Sequence, residues 1–353
     1  MKSRLAKFSI ASAVAAMVVG CSKGADSFSL LSDGSSYKQS AQYIPRKVDI
    51  LWVVDNSGSM ATSQKNLADN FPSFIQKFLE KESDFRMAVV TSDAFLAPYH
   101  AKDKPTVFDY KDLSLIRGGV MDKNTPNLES VFLTNIQQGT SGSGDERVFS
   151  SFETALMDPR NSAFRRPDAF LAVIIVSDEE DFSHNDNTNG MNTYKFMENY
   201  ADPTMYSVQH YVDFLTTFTA NAGSGKNFSV NTISILDQAC LTKLQNSAQK
   251  IGQRYIDLAN ATGGKKASLC EDFSDSLKVL ADAIVNLSSE FSLSREPIPE
   301  SIVVTVNGVV VPNDPVNGWV YNPATITLTF NGSSLPKNGD DVRINFDPAN
   351  VKQ

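Results

Sequence analysis

Short, almost unbroken apolar runs alternate with stretches of helical spacing along most of this chain. Residues 49–54 (DILWVV) and 169–176 (AFLAVIIV) are apolar nearly throughout, as parallel strands buried on both faces must be. Residues 85–90 and 228–236 read as further strands, and a last short one ends near Leu269. Between them the apolar period lengthens toward 3.6. Leu67, Phe71, Phe74, Ile75 and Phe78 line one side of a helix over 63–80, which Pro72 is expected to kink or delay. Helices are also expected over 150–157, 206–218, 244–261 and 273–291, while 93–138 reads as a turn-rich insertion. Strands alternating with helices predict an α/β fold: a doubly wound, mostly parallel sheet over 46–293.

After Ser294 the period changes. The stretch Arg295-Glu296-Pro297-Ile298-Pro299 is a stiff linker, and Asn307-Gly308 between two valine-rich runs marks a hairpin with a type I′ turn. Residues 319–321, 325–330 and 342–346 alternate as half-buried strands do, so 294–353 is expected to be a small all-β module.

The first twenty residues have a different character. Lys2, Arg4 and Lys7 precede an apolar run from Phe8 to Val19, too short to span a bilayer, which needs roughly 20 residues. The run ends in Val18-Val19-Gly20-Cys21, which resembles the lipobox of bacterial lipoproteins. That resemblance implies cleavage after residue 20 and acylation of Cys21, with several acyl chains giving a stable membrane anchor. Ser22, rather than an acid, follows the cysteine, so an outer membrane is the expected destination where the cell has one. Residues 21–45, rich in serine, read as a flexible tether. Two cysteines remain, Cys240 and Cys270, an even pair in an exported chain and therefore an expected disulfide.

At 353 residues, 41% hydrophobic and 20% charged, the chain has the composition of an ordinary folded protein. Its formal charge is −8, and removing the three basic residues of the export segment leaves −11. Nucleic acid is excluded as a partner, because phosphate binding needs a basic face.

The chemistry concentrates at the ends of the two apolar runs. Asp55-Asn56-Ser57-Gly58-Ser59-Met60 follows DILWVV directly. The carboxyl ends of central parallel strands open on the crevice where α/β sheets bind ligands. A glycine-containing turn there lets one carboxylate (Asp55) and two hydroxyls (Ser57, Ser59) face a common centre. Oxygen donors suit Mg²⁺ first, with Mn²⁺ or Ca²⁺ as alternatives, rather than zinc or copper. The motif and its place resemble the metal-ion-dependent adhesion site of von Willebrand factor type A (vWA) domains. That resemblance implies an ion held by Asp55, Ser57 and Ser59, with Asp178, after AFLAVIIV, binding it directly or through water. In the family a threonine on the loop before the next helix completes the set. Here that loop is Gly139-Thr140-Ser141-Gly142-Ser143-Gly144-Asp145-Glu146, and either Asp145 or Thr140 is expected to serve. Glu179, Glu180 and Asp181 continue the acidic run; Glu179 stands where the family has glycine, and Glu180 and Asp181 read as a solvated loop. Asn185 and Asp186 are candidates to enlarge the site.

Other signals fail. Gly223-Ser224-Gly225-Lys226 lacks the flanking residues of a phosphate loop, and His100, His184 and His210 have no zinc spacing. No nucleophile with its base is recognisable. The expected function is therefore that of a membrane-anchored, metal-dependent binding protein, not an enzyme. It would capture an acidic group of a partner protein or acidic glycan, with loops 93–138 and 182–205 rimming the site. The alternatives are an envelope-assembly component with a stabilising metal, or a metal-assisted hydrolase using Glu179 or Asp181 as base.

Overall fold

The computed structural model describes residues 37–42, 47–80, 83–99, 110–188, 191–192, 194–220, 227–244, 249–288, 290–337 and 340–349. The export segment, Cys21, His100 and the 223–226 stretch lie outside the described residues.

The molecule is a mixed α/β structure around a six-stranded sheet. After β1 (Tyr37–Gln42) come β2 (Val48–Val54), α1 (Ala61–Glu80), β3 (Phe85–Thr91), β4 (Met121–Asp122), α2 (Leu128–Ile136), α3 (Val148–Met157) and β5 (Phe170–Ser177). A small hairpin, β6 (Asn187–Thr188) and β7 (Met191–Asn192), precedes α4 (Val208–Phe218), β8 (Phe228–Ser234), α5 (Gln238–Leu244), α6 (Gln253–Thr262), β9 (Lys266–Ser268) and α7 (Phe273–Ser288). The main sheet has the order β4-β3-β2-β5-β8-β9, parallel except for β4 at one edge. Valines 54 and 176 are register partners, so β2 and β5 end side by side and the residues that follow them emerge together.

Strand side chains alternate between faces. Ile50, Trp52, Ile174 and Val176 belong to one apolar cluster with residues of α1, α2 and α7. Leu51, Val53, Val173 and Ile175 belong to the other, with residues of α3, α4 and α6. Leu67, Phe71, Phe74, Ile75 and Phe78 are buried as their spacing requires, and α1 runs through Pro72, which lies on its exposed side.

Two expectations are corrected. The insertion at 93–138 contains α2, a helix of only nine residues whose Phe132 stacks on Phe71 and meets the edge of Trp52. The helix expected over 244–261 begins later, at Gln253 of α6, and a separate helix, α5, ends at Leu244. Between them Gln249 and Lys250 are non-helical, and both bind Asp178. The disulfide joins Cys240 of α5 to Cys270, with Cα atoms 5.6 Å apart.

The C-terminal residues form two small antiparallel sheets from β10 (Glu290–Ser292), β11 (Val303–Val306), β12 (Val309–Val311), β13 (Trp319–Asn322), β14 (Thr327–Phe330) and β15 (Asp341–Phe346). Their orders are β1-β15-β11-β12 and β10-β14-β13. The hairpin turn has φ of 51° at Asn307 and 80° at Gly308, the left-handed pair that a type I′ turn demands. Residues 37–42, read from sequence as part of the tether, pair along their whole length with β15. Val304, Leu328, Phe330 and Ile344 share one apolar cluster with Leu280 and Ile284 of α7, so the small sheets pack against the body of the molecule. No helix among the described residues is long and apolar enough to cross a membrane.

Candidate metal centre

The Asp55 amide donates to the Val176 carbonyl at 2.9 Å, carrying the β2–β5 ladder one residue past the strands. This fixes Asp55 beside Ser177 and Asp178. Asp55 is fully buried; its Oδ1 accepts from the Ser57 amide at 2.7 Å and its Oδ2 from the Ser177 hydroxyl at 2.7 Å. The Ser57 and Ser59 hydroxyls are 3.2 Å apart, and Ser59 donates to Asp178 Oδ1 at 2.9 Å. The other Asp178 oxygen accepts from the Gln249 amide at 2.7 Å. Asp55, Ser57, Ser59 and Asp178, separated by up to 123 positions in sequence, thus form one continuous chain of contacts.

The loop from 139 to 146 is drawn against this motif. Gln64 Nε2 bridges the carbonyls of Asp55 and Gly139 at 2.9 and 2.8 Å, and the Gly142 amide donates to the Asn56 carbonyl at 2.8 Å. A Cβ on Gly142 would lie 2.7 Å from that carbonyl, so only glycine permits the approach. Neither expected third ligand reaches the centre. Thr140 is exposed and lines a cavity of about 580 Å³ with Asn56, Asp93, Leu96 and Tyr99. Asp145 accepts from Arg147 Nη2 at 2.7 Å, and Arg147 also binds Asp186 at 2.9 Å. His184 Nε2 approaches Asp186 at 2.5 Å, which completes a buried cluster. Asp186 therefore belongs to the framework of the rim and not to the centre.

Glu146, one position further on, is the acid that faces inward. It is 2% exposed, and neither carboxylate oxygen has a hydrogen-bond partner of good geometry. Burial raises its carboxyl well above the usual range; the charges of Asp55 and Glu179 raise it further, the Ser92 hydroxyl opposes them, and Asp93 adds a smaller upward push. Burial pushes Asp55 up to about 6; the Asp178 charge adds to this, while the hydrogen bonds from Ser57 and Ser177 oppose it. Glu179 is pushed up to about 8 by burial and by Asp55 and Asp178, with Lys250 opposing.

Glu180 and Asp181 are not solvated; both are completely buried. The Asp181 carboxylate accepts from the amide of Phe149 in the first turn of α3, from Ser183 and from Arg254. Glu180 accepts from the Arg254 amide in the first turn of α6, from the Asp181 amide and from the Tyr200 hydroxyl. Each acid answers free N–H groups at a helix start, where negative charge is favoured. Sequence reading missed Glu146, Ser177, Gln64 and Gln249. Glu146 and Ser177 each adjoin a residue that was singled out, whereas Gln64 and Gln249 sit in unremarkable polar stretches.

An orphaned buried carboxylate, two further carboxylates raised by burial and mutual repulsion, and an oxygen-only donor set together fit a hard divalent cation. Asp55, Asp178, Ser57 and Ser59 would hold it. Among the described residues, no three His, Cys, Asp or Glu side chains are placed to hold an ion by themselves.

No protein-family model matches the sequence, and no curated protein sequence matches it. Among solved structures, the chain is similar to proximal thread matrix protein 1 from the mussel byssus at 13% identity, with a TM-score of 0.38 over 73% of this chain and 52% of that one. It is also similar to the pilus adhesin SpaC of Lactobacillus rhamnosus GG in its open conformation, at 12% identity and a TM-score of 0.42 over 88% of this chain and 40% of that one. The chain thus spans between two fifths and about half the length of these proteins.

Proposed function

We propose that the protein is a metal-dependent binding protein of the vWA type, in which a divalent cation held by Asp55, Ser57, Ser59 and Asp178 accepts an acidic group from a partner protein or acidic glycan. The observation that carries this reading is the crowding of oxygen donors at the ends of β2 and β5: Asp55, Ser57, Ser59 and Asp178 in one chain of contacts, with the buried Glu146 carboxyl beside them lacking a hydrogen-bond partner of good geometry, an arrangement that a bound cation would stabilise in place of protons. The sequence motif adds to it, because the Asp-x-Ser-x-Ser spacing lies at the end of a central strand. Two of the four donors are neutral hydroxyls, and four donors do not fill the shell of such an ion, so a position is left for an outside carboxylate. The protein would be exported and held to a membrane, outer where one exists, by lipid on Cys21. This part of the reading rests on the lipobox-like end of the export segment.

Substitution of Asp55 by Ala is expected to abolish uptake of Mg²⁺ or Ca²⁺ in calorimetric titration while leaving the circular dichroism spectrum unchanged. A native-envelope pull-down run with divalent metal should capture a partner that chelator or Asp55→Ala releases. Equal metal uptake by the variant and the wild type would refute the reading.

A further inference from the structure

Resting on that reading, we propose that Glu146 is itself a ligand of the cation, filling the corner where the family pattern places a neutral threonine. Its surroundings leave the side chain no other evident task. The Glu146 carbonyl accepts from the Phe182 amide at 2.9 Å, which pins the residue beside the loop that carries Asp178 and Glu179. On the other side stands Ser92, whose hydroxyl donates to Asn56 Oδ1 at 3.1 Å within the metal motif. Glu146 is therefore enclosed between the segment after β2 and the segment after β5, the two that supply the other donors.

Three neighbouring acids have partners. Asp145 has Arg147; Asp93 accepts from the Asn56 side-chain amide at 3.1 Å and the Ser143 amide at 3.0 Å; Asp181 has Arg254. Glu146 alone is sealed from water with both oxygens unpaired, and the groups whose charge raises its carboxyl are themselves acids. A carboxylate in that position is a poor structural device, since it neither fills an apolar gap cleanly nor anchors a donor. It is a good ligand in waiting. Among the described residues the carboxyl groups do not converge on one point, so the ligand role requires the Glu146 side chain, whose oxygens no well-formed hydrogen bond holds, to turn toward Asp55 and Asp178 when the ion binds.

The substitution of an acid for a hydroxyl has a consequence for ion choice. Mg²⁺ demands six ligands in near-ideal octahedral geometry, whereas Ca²⁺ takes six to eight oxygens at longer and less regular distances and gains affinity with carboxylate count. Asp55, Asp178 and Glu146, together with two serine hydroxyls, favour Ca²⁺. The added charge also weakens the pull of the ion on an incoming anion. Glu146 thereby exchanges some avidity for the partner against firmer retention of the metal.

Calorimetric titration of the full chain with Ca²⁺ and separately with Mg²⁺, for the wild type, Glu146→Gln and Glu146→Thr, tests the assignment. The wild type should bind Ca²⁺ more tightly than Mg²⁺. Both variants should bind Ca²⁺ at least tenfold more weakly, and Glu146→Thr should narrow the preference between the ions. Melted in chelator, Glu146→Gln should unfold no lower than the wild type, because the amide is isosteric with the carboxyl it replaces and carries no charge to bury. Wild-type cation uptake matched by equal uptake in Glu146→Gln would overturn the role of Glu146 and leave the metal reading standing. A wild type that takes up neither ion would overturn both. A Glu146→Gln protein that melts well below the wild type in chelator would make Glu146 a structural residue and likewise overturn the proposal.

Discussion

At the scale of single residues, position along the chain says little about which acids are neutralised. Asp145 and Glu146 are neighbours, yet the first lies against a guanidinium and the second against other acids. The raised carboxyls have a thermodynamic consequence. Unfolded, Asp55 and Glu179 lose their protons near pH 4; folded, they do so at about 6 and about 8. Between those values the native state holds more protons than the unfolded one, so stability without divalent metal should fall as pH rises from about 4 to about 8. Melting curves in chelator across that range should show the decline, and saturating Ca²⁺ should flatten or reverse it. A melting temperature that climbs steadily from pH 5 to 8 in chelator would contradict the electrostatic account. The sequence announced Asp55, Ser57, Ser59 and Asp178 because their spacing follows two apolar runs. It offered Asp145 or Thr140 for the remaining corner and passed over Glu146, because Asp145 and Glu146 are equally buried and only the Arg147 guanidinium, which the sequence cannot place, tells them apart.

At the scale of elements, the strands were legible and several helix boundaries were not. A strand buried on both faces needs an unbroken apolar run, and DILWVV and AFLAVIIV allow no other interpretation. The short helix α2 has little periodicity of its own and is held by tertiary packing such as Phe132 stacking on Phe71, a contact that spans 61 positions. The acidic run after β5 misled for a similar reason: four charges in a row resemble a solvated loop unless the helix starts that receive them are known. Asp181 bears on α3 through the Phe149 amide and on α6 through Arg254. Its replacement by Ala would strand a largely buried guanidinium and leave an amide of α3 unpaired, so we expect a loss of about 3–5 kcal/mol in urea unfolding. Replacement of the exposed Asp69, paired only with Lys65 on the surface of α1, should change stability by less than about 0.5 kcal/mol in the same assay.

At the scale of the whole molecule, the chain enters the main sheet at Val48 and reaches Asp55 at the opposite end of β2, about 23 Å away at 3.3 Å per residue. Helix α7 follows β9 and leads into β10, and the small sheets that β1, β10 and the C-terminal strands form pack against α7. Strand β1 has two roles in this reading: it covers an edge of the β15 sheet, and under the proposed lipidation of Cys21 it would continue the segment that leads to the anchor. Removing residues 37–42 would leave the N–H and C=O groups of β15 without their partners on that side, an exposed edge prone to pairing with other chains. Two truncations separate these roles. A chain beginning at Tyr37 should melt within about a degree of one beginning at Cys21, whereas a chain beginning at 47 should melt several degrees lower, as expected for a loss of one or two kcal/mol at this size. The shorter chain should also associate on light scattering. Equal melting temperatures for all three would show that β1 adds nothing to the fold and acts only as a spacer.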